Sequence, residues 1–231
     1  MRIITDFDGV IVDLADRYYH VYLLRLDRVR LPGQSLRVLT KAEFWALKRQ
    51  QVEDRDFAIE SELTIAQADT FVGLRNRHAH QLEYLHLDRL IPDAISALEQ
   101  IQSNGIELIL MTMRRTCELN VAFDRYNLRR FFPHPYCYCL SDSHNKQCDI
   151  QDKTNLMTRA IKDLGRNENT WMVGDTEADI LSAQAHQIKV IGVLSGIRDR
   201  NRLAQYRPNA IVPNLARAVE FILSSKTTHH P

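Results

Sequence analysis

The chain has 231 residues, of which 45% are hydrophobic and 26% charged, and its formal net charge at pH 7 is +1. This length allows one large domain or a domain with an insertion, while the balanced charge argues against a general nucleic-acid or membrane-surface binder. No apolar run approaches the roughly 20 residues that cross a bilayer, and Asp6 and Asp8 fall where a signal peptide needs an uncharged stretch. We therefore expect a cytoplasmic protein that has no nucleic-acid or membrane partner.

The four cysteines are expected to be reduced thiols in that compartment. Two of them, Cys137 and Cys139, share one face of a predicted strand. A zinc cluster of Cys137, Cys139, His144 and Cys148 is an alternative, although the spacing of these residues matches no common zinc pattern.

The first thirteen residues predict a buried strand that ends in two acids. Ile3 and Ile4 begin a short apolar run, which stops at Asp6 and Asp8 before Gly9 lets the backbone turn. Such a run is typical of a strand in a parallel sheet, and ligands bind where such strands end. Two ionised carboxylates this close are tolerated when one is protonated or a cation lies between them. The pair therefore indicates a divalent-metal site, with a plain turn rich in Asp and Gly as the alternative.

Residues 14 to 88 are predicted to be helical throughout. Apolar residues recur every four positions from 14 to 26, and Asp13 is the expected N-cap of this first helix. Capping-box pairs that start two further helices follow: Thr40 with Glu43, and Thr64 with Gln67. The buried face of the last helix is expected to include Ala79.

From Pro92 onward the pattern alternates between strand and helix. Strands are predicted at residues 106–111, 135–140, 171–173, 189–193 and 210–212, with helices between them. This alternation indicates an α/β fold, in which a parallel sheet is sandwiched by helices. We expect a core domain of residues 1–13 and 89–231, with residues 14–88 inserted as a helical domain. Insertions of this size tend to be lids or binding elements.

Polar residues are predicted at several strand ends on one edge of this sheet. Asp6 and Asp8 follow the first strand, Thr112 follows the second, and Asp175 follows a later one, which is preceded by a helix that carries Lys153. A carboxylate nucleophile, a hydroxyl, an ammonium and metal-binding acids are what phosphoryl transfer through an aspartyl-phosphate requires.

These segments resemble the motifs of the haloacid dehalogenase superfamily, in its phosphatase type with a helical cap inserted after the first motif. The stretch Asp6-x-Asp8-Gly9-Val10-Ile11-Val12-Asp13 is similar to the first motif, and Met111-Thr112 to the second. Lys153 stands at the distance expected of the third, and Gly174-Asp175-Thr176-Glu177-Ala178-Asp179 is similar to the fourth. The resemblance extends over the whole chain, favours the phosphoglycolate phosphatase and β-phosphoglucomutase-like branch, and implies a Rossmann-like core with an α-helical cap.

The resemblance implies a role for each motif residue. Asp6 would attack phosphorus, and Asp8 would protonate the leaving group and then activate water. Mg²⁺ would be held by Asp6, the backbone carbonyl of Asp8 and Asp175, and Thr112 and Lys153 would bind phosphate oxygens. Asp179 is an accessory metal residue or simply completes a helix cap with Thr176.

Two departures from the family pattern concern the second and third motifs. Met113-Arg114-Arg115 follows Thr112, where a small or amide residue is usual, so Arg114 is a candidate for binding a substrate anion. We place Met113 and Arg114 with Thr112 and Lys153 as the predicted substrate-binding residues. Thr154-Asn155 follows Lys153 where prolines are common, and Lys146 is the reserve candidate for the phosphate-binding lysine.

The expected function is Mg²⁺-dependent hydrolysis of a small phosphorylated metabolite, because Asp8 retains the acid that ester-cleaving members have. A phosphomutase of the β-phosphoglucomutase type uses the same residues and is an alternative. A non-catalytic protein that binds a phosphorylated ligand is another. Phosphoglycolate, sugar phosphates and nucleotide monophosphates all remain open as substrates.

Overall fold

The computed structural model describes residues 1–78, 81–146 and 148–227. The chain divides into two compact units: Met1–Asp13 with Leu90–Pro231, called the core unit, and Leu14–Arg89, called the helical unit. Among the described residues, no helix combines the length and the apolar character that spanning a membrane requires.

A six-stranded sheet forms the centre of the core unit, and every strand pair in it is parallel. Its strands lie in the order β5-β4-β1-β6-β7-β8, and their bounds are Arg2–Thr5 (β1), Glu107–Arg115 (β4), Cys137–Leu140 (β5), Thr170–Gly174 (β6), Lys189–Val193 (β7) and Ala210–Val212 (β8). The short strands β2 and β3, Val12–Asp13 and Arg89–Leu90, form a separate two-stranded sheet. The predicted α/β architecture is confirmed.

Helices of the core unit cover this sheet. They are α5 (Ala94–Ser103), α6 (Thr116–Tyr126), α7 (Asp149–Leu164), α8 (Glu177–Ala185), α9 (Arg200–Gln205) and α10 (Leu215–Thr227), with a 3₁₀ turn at Leu128–Arg130. Helix α7 packs on α8, and α5 on α10. Under α7 and α8, side chains of β1, β4 and β6 such as Ile4, Met111 and Met172 bury an apolar cluster with Met157 and Ile180. Burial of these side chains fixes the strands, and therefore the residues that follow them.

The helical unit contains α1 (Ala15–Val29), α2 (Lys41–Arg49), α3 (Asp54–Glu60), α4 (Ile65–His78) and a 3₁₀ helix at Leu82–Leu87. The capping box of α2 is confirmed, because Thr40 accepts from the Glu43 N–H and Glu43 accepts from the Thr40 N–H. Thr64 and Gln67 exchange the same two bonds at the start of α4. Ala79 lies outside the described residues.

The interior of the helical unit is aromatic and contains two closely paired charges. Tyr22 of α1 packs together with Phe44, Phe57 and Phe71 from the other helices of this unit. Arg17 pairs with Asp88 at 2.7 Å and Arg25 with Asp54 at 2.6 Å, and all four side chains are buried.

Three local predictions differ from the structure. Strand β4 runs through Thr112 to Arg115, past the predicted end at residue 111, because it keeps pairing with β5 beyond a register shift. Asp13 lies in β2, and Leu14 occupies the N-cap of α1 without a side-chain cap bond, so the predicted Asp13 cap is wrong. The short helix α9 was not predicted, since six residues show too little periodicity.

Candidate active site

Asp6 follows β1 directly, between the ends of the two neighbouring strands. Strand β1 pairs with β4 on one side and β6 on the other, so that Thr5 lies opposite both Leu110 and Val173. The Asp6 N–H donates to the Val173 carbonyl at 2.8 Å, which continues the ladder to the residue before Gly174. The side chain is fixed too, because Asp6 Oδ1 accepts from the Phe7 N–H at 2.7 Å. The carboxylate is therefore held at the carboxyl edge of the sheet.

Three buried carboxyl groups meet at this edge, from Asp6, Asp175 and Asp179, and are called the acid cluster. One oxygen from each lies within 4.8 Å of the others. Lys153 lies in the second turn of α7, and its Nζ is 2.9 Å from Asp6 Oδ1 and 2.8 Å from Asp179 Oδ1. Because Lys153 is 1% exposed, its charge has little contact with water and acts mainly on these carboxylates.

Burial and mutual repulsion dominate the electrostatics of the acid cluster. Burial raises the pKa of Asp6 well above its usual range, Asp179 raises it further, and Lys153 only partly offsets both. Burial likewise raises the pKa of Asp175 to about 7, with Asp179 adding to the effect and the Ile197 N–H opposing it. Burial alone would lower the pKa of Lys153, but Asp179 and Asp6 outweigh it, so the net direction is upward. Asp6 and Asp175 therefore bind protons more tightly than exposed acids do, because Lys153 does not fully offset burial and mutual repulsion.

Asp175 is held by the loop that follows β7. The Ile197 N–H donates to Asp175 Oδ2 at 2.7 Å, and the Ser195 hydroxyl donates to the Gly9 carbonyl at 2.7 Å. A Cβ atom at Gly9 or at Gly196 would overlap the Asp175 carboxylate, and Gly9 also has a positive φ of 75°. Two glycines thus let two backbone segments approach one carboxylate closely.

Asp179 has partners on both of its oxygens. Oδ2 accepts from the Thr176 N–H at 3.0 Å and from its hydroxyl at 2.7 Å, as a capping box of α8 requires. Oδ1 faces Lys153, as described above. The side chain therefore caps the helix and contacts the lysine, while its role as an accessory metal residue stays a prediction.

Asp8 lies apart from the acid cluster and pairs with Arg114. Its Oδ1 accepts from Arg114 Nε at 2.9 Å and lies 2.7 Å from Nη2. Arg114 is buried, and its guanidinium stacks 4.9 Å from the Phe7 ring centroid. The Arg114 N–H also donates to Thr112 Oγ1 at 3.1 Å, which links the second motif to the first.

The remaining predicted residues fall in different surroundings. Met113 packs partly buried against the apolar cluster under α7. Lys146 pairs with Asp149 at 2.8 Å, whereas Lys153 contacts Asp6, so the reserve lysine is not the one that reaches the acid cluster. Among the described residues, the acid cluster is the group that could hold a metal, and the set of Cys137, Cys139, His144 and Cys148 does not come together.

Two features of the site were not predicted from the sequence. The Asp8–Arg114 pair joins residues 106 positions apart, and no local pattern signals it. The loop at Ser195 to Ile197 had a detectable signal, because Ser195-Gly196 begins two positions after the end of a predicted strand, close to where the other strands have their polar residues.

A cavity of about 230 Å³ lies in the core unit but away from these residues. It is lined by the amino ends of β1 and β6, with Arg2 and Thr170, and by the end of α7. Arg2 is occupied there, because its guanidinium binds Glu107 and the carbonyls of Leu164 and Gly165. Arg2 therefore caps the C-terminus of α7 by donating to its last carbonyl groups.

Comparison with known proteins agrees with this geometry. Residues 1–187 match the family model described as haloacid dehalogenase-like hydrolase. Over 214 residues the chain is 22% identical to the pyrophosphatase PpaX of Anoxybacillus flavithermus, covering 93% of each protein. It is also 22% identical over 125 residues to PpaX of Oceanobacillus iheyensis, a match that spans only 56% of that protein and 54% of this chain.

Solved structures share the fold. A haloacid dehalogenase-like family hydrolase of Streptococcus pneumoniae superimposes with a TM-score of 0.69 at 17% identity, covering 95% of this chain and 97% of the other. The family model covers most of the chain, including all four motif segments. The chain therefore belongs to the haloacid dehalogenase-like hydrolase family.

Proposed function

We propose that this protein is a Mg²⁺-dependent phosphatase, which hydrolyses a small-molecule phosphate monoester through an aspartyl-phosphate. One observation carries the proposal: Asp6 is fixed at the end of the central strand, in contact with Lys153 and beside two further buried acids. Burying three carboxyl groups together destabilises the fold, because each loses its hydration and repels the others. Their burial at one strand end is therefore better explained by a function than by folding.

Asp6 acts as the nucleophile in this proposal. The Phe7 N–H and Lys153 hold Oδ1, which leaves Oδ2 as the oxygen that attacks phosphorus. Lys153 contributes a positive charge beside the attacking carboxylate and so reduces its repulsion of a phosphate dianion. Thr112, buried next to the backbone of Arg114, is the proposed hydroxyl for the phosphate oxygens.

The acid cluster fits a magnesium ion, because hard oxygen ligands are what this cation prefers. Asp6 and Asp175 are the proposed side-chain ligands, with the Asp8 carbonyl as a third. Asp179 is proposed to act through Lys153, since both of its oxygens already have partners. The metal, when bound, supplies charge neutralisation between the anionic nucleophile and the anionic substrate.

Asp8 is the proposed general acid and base. Its side chain is partly exposed, unlike the acid cluster, so it can reach a leaving group or a water molecule. Arg114 fixes its orientation through the two contacts to Oδ1, and this partly exposed carboxyl group is the one that we propose to transfer the proton. This pair gives a role to Arg114, one of the residues by which Met113-Arg114-Arg115 departs from the family's second motif.

A second candidate substrate is inorganic pyrophosphate. The relatives from Anoxybacillus and Oceanobacillus are described as pyrophosphatases, and this chain places a buried guanidinium beside the proposed general acid. A guanidinium there suits a leaving group that is itself a phosphate. The experiment must also distinguish these two hydrolytic activities from the two alternatives, a phosphomutase and a non-catalytic binding protein.

The helical unit is proposed to be the cap that selects the substrate. Two arginines of this unit, Arg17 and Arg25, are buried in ion pairs within it and are better explained as structural than as substrate ligands. Selectivity is therefore expected to come from its other side chains.

The test is turnover of wild type and Asp6→Asn with Mg²⁺ across phosphoglycolate, sugar phosphates, nucleotide monophosphates and pyrophosphate. We expect one substrate class to be hydrolysed by wild type, and a loss of at least about 10³-fold in Asp6→Asn, because an amide cannot attack phosphorus. Acid-quenched wild type should carry phosphate that hydroxylamine removes. Asp124→Asn, an exposed acid on α6, is the matched control and should keep wild-type turnover. Equal turnover in Asp6→Asn would overturn the proposal, and binding without turnover would favour the non-catalytic alternative.

A further inference from the structure

The loop between β7 and α9 binds the Asp175 carboxylate at Ile197. The Ile197 N–H donates to Asp175 Oδ2 at 2.7 Å. The far end of the loop is fixed by α9, because Asp199 is the N-cap of this helix and accepts from the Arg202 N–H at 2.8 Å. A backbone N–H orients a carboxylate only as firmly as its own segment is held, so the contacts that hold Ile197 determine how firmly Asp175 is oriented.

Arg198 ties this loop to the start of α8. Its Nε donates to Glu177 Oε2 at 2.8 Å and its Nη2 to Oε1 at 2.7 Å, which makes a two-bonded ion pair of the strong kind. Its Nη1 donates to the Ile197 carbonyl at 3.1 Å. Glu177 is the first residue of α8 and stands two positions after Asp175. One guanidinium therefore joins the residue that binds Asp175 to the helix that begins beside Asp175.

The Arg198–Glu177 pair is better shielded from water than an ordinary surface ion pair. Its two side chains are 11% and 15% exposed, whereas those of the Arg217–Glu220 pair on α10 are 62% and 53% exposed. An exposed pair contributes little, because water screens it and its side chains stay mobile. Glu177 also suits the N-terminus of α8 by its charge alone, but that role does not account for the contacts of Arg198 with the loop.

We propose that Arg198 and Glu177 are positioning residues for the Asp175 carboxylate, and that their ion pair sets the affinity of the acid cluster for Mg²⁺. The inference rests on the proposed function, because it takes Asp175 as a magnesium ligand. The pair acts through Ile197, whose N–H then fixes the plane of the carboxylate. Mg²⁺ demands nearly ideal octahedral geometry, so a ligand that can rotate binds it less tightly.

Positioning and charge predict different effects when the pair is broken. The guanidinium of Arg198 has the same sign as Mg²⁺, so an effect of charge alone would make Arg198→Met bind the cation more tightly. Removal of both residues would then change little, because the pair is neutral as a whole. Positioning predicts the opposite: Mg²⁺ binds more weakly in Arg198→Met and in the double variant Arg198→Met/Glu177→Met.

The experiment titrates MgCl₂ into the full chain at pH 8 and measures the Kd by calorimetry. Arg198→Met, Glu177→Met and the double variant should each bind Mg²⁺ about 10–100-fold more weakly than wild type. The double variant should be no weaker than the single ones by more than about threefold, because the two residues act as one unit. The Mg²⁺ concentration for half-maximal turnover should rise in parallel with Kd, while kcat at saturating Mg²⁺ stays within a few fold of wild type.

The matched control is Arg217→Met, which breaks the exposed arginine–glutamate pair on α10 and should keep the wild-type Kd. The Tm of each metal-free variant is measured as well, because a merely structural pair would lower Tm and leave the Kd of the folded protein unchanged. Where Arg198→Met fails to fold, Arg198→Lys takes its place. It keeps the charge but lacks the planar fork, and should still bind Mg²⁺ at least about threefold more weakly than wild type.

Several results would overturn the inference. These are an unchanged or tighter Kd in Arg198→Met, a wild-type Kd in the double variant, or a wild-type Kd in Arg198→Lys where that variant is the one measured. If wild type binds Mg²⁺ and these variants bind it equally well, this inference fails and the proposed metal site stands. If wild type itself binds no Mg²⁺, the proposed metal site fails and this inference fails with it.

Discussion

The core unit and the helical unit both bury charges, but they balance them differently. In the helical unit each buried arginine has a carboxylate at 2.6–2.7 Å, as in Arg17 with Asp88 and Arg25 with Asp54. In the core unit three carboxyl groups of the acid cluster face the ammonium of Lys153. Each arginine of the helical unit faces a carboxylate, which is the arrangement of a structural ion pair. Three carboxyl groups around one ammonium are instead typical of a functional site that binds a cation.

Replacing Lys153 should remove the charge that the acid cluster depends on. We expect Lys153→Met to lower turnover by about 10²–10³-fold, because the nucleophile loses both its orientation and a cation that stabilises the transition state. Steady-state kinetics on the substrate found in the panel measures this. Lys162→Met, an exposed lysine on the same helix, is the control and should keep wild-type kinetics. Comparable rates in the two variants would remove Lys153 from the mechanism.

Breaking a matched pair should affect stability instead of chemistry. Arg17→Met leaves Asp88 buried without its guanidinium partner and should lower the free energy of unfolding by about 3–5 kcal/mol. Urea unfolding measures the loss, and turnover per folded molecule should stay within a few fold of wild type. The double variant Arg17→Met/Asp88→Leu should recover most of the stability. If the double variant is no more stable than the single one, the pair is not the cause.

Magnesium should stabilise the protein most where protons do not compete for the acid cluster. Burial raises the pKa of Asp175 in the folded state to about 7, above its value in the unfolded chain. Protonation of Asp175 therefore stabilises the metal-free fold at low pH, and this stabilisation is lost as the pH rises through about 7. Added Mg²⁺ should therefore raise Tm more at pH 8 than at pH 5.5. At one hundred times Kd the gain is about 2.7 kcal/mol, or roughly 5–10 °C. In Asp175→Asn the difference between the two pH values should shrink; an undiminished difference would contradict this assignment.

Replacing glycine by alanine should weaken Mg²⁺ binding only where the glycine lies against the Asp175 carboxylate. A Cβ at Gly196 would overlap the Asp175 carboxylate, so Gly196→Ala should weaken Mg²⁺ binding by at least about 10-fold in calorimetry. A Cβ at Gly73 in α4 would meet no atom within 4 Å, so Gly73→Ala should leave Mg²⁺ binding unchanged. It should also raise stability by roughly 0.5–1 kcal/mol, because alanine is the better helix former. Equal Mg²⁺ affinities in the two variants would exclude the loop from the site.

The sequence predicts the architecture well because periodicity is local. Strand runs such as residues 189–193 and the capping box at Thr40 depend on neighbours a few positions apart, and the structure has both. A parallel sheet then places Asp6 and Asp175 at the same edge, whereas the pairing of β1 with β6, which brings them close together, comes from the structure.

Contacts between distant segments could not be predicted in the same way. The Asp8–Arg114 pair and the bond from Ile197 to Asp175 depend on exact register and on loop conformation. The end of β4 was placed too early for the same reason: residues 112–115 carry no clear alternation, and pairing with β5 across a register shift extends the strand. The residue types in the sequence identify candidate site residues, but the packing of distant segments determines which of them contact one another.

The central place of β1 also has a consequence for refolding. Its hydrogen-bonded neighbours begin at Glu107 and Thr170, so both flanks of Asp6 come from far along the chain. Closing such long loops is slow compared with forming helices. After dilution from denaturant, recovery of Mg²⁺ affinity should therefore lag behind the far-ultraviolet helical signal. Mg²⁺ binding would then report when β1 has paired with both of its neighbouring strands.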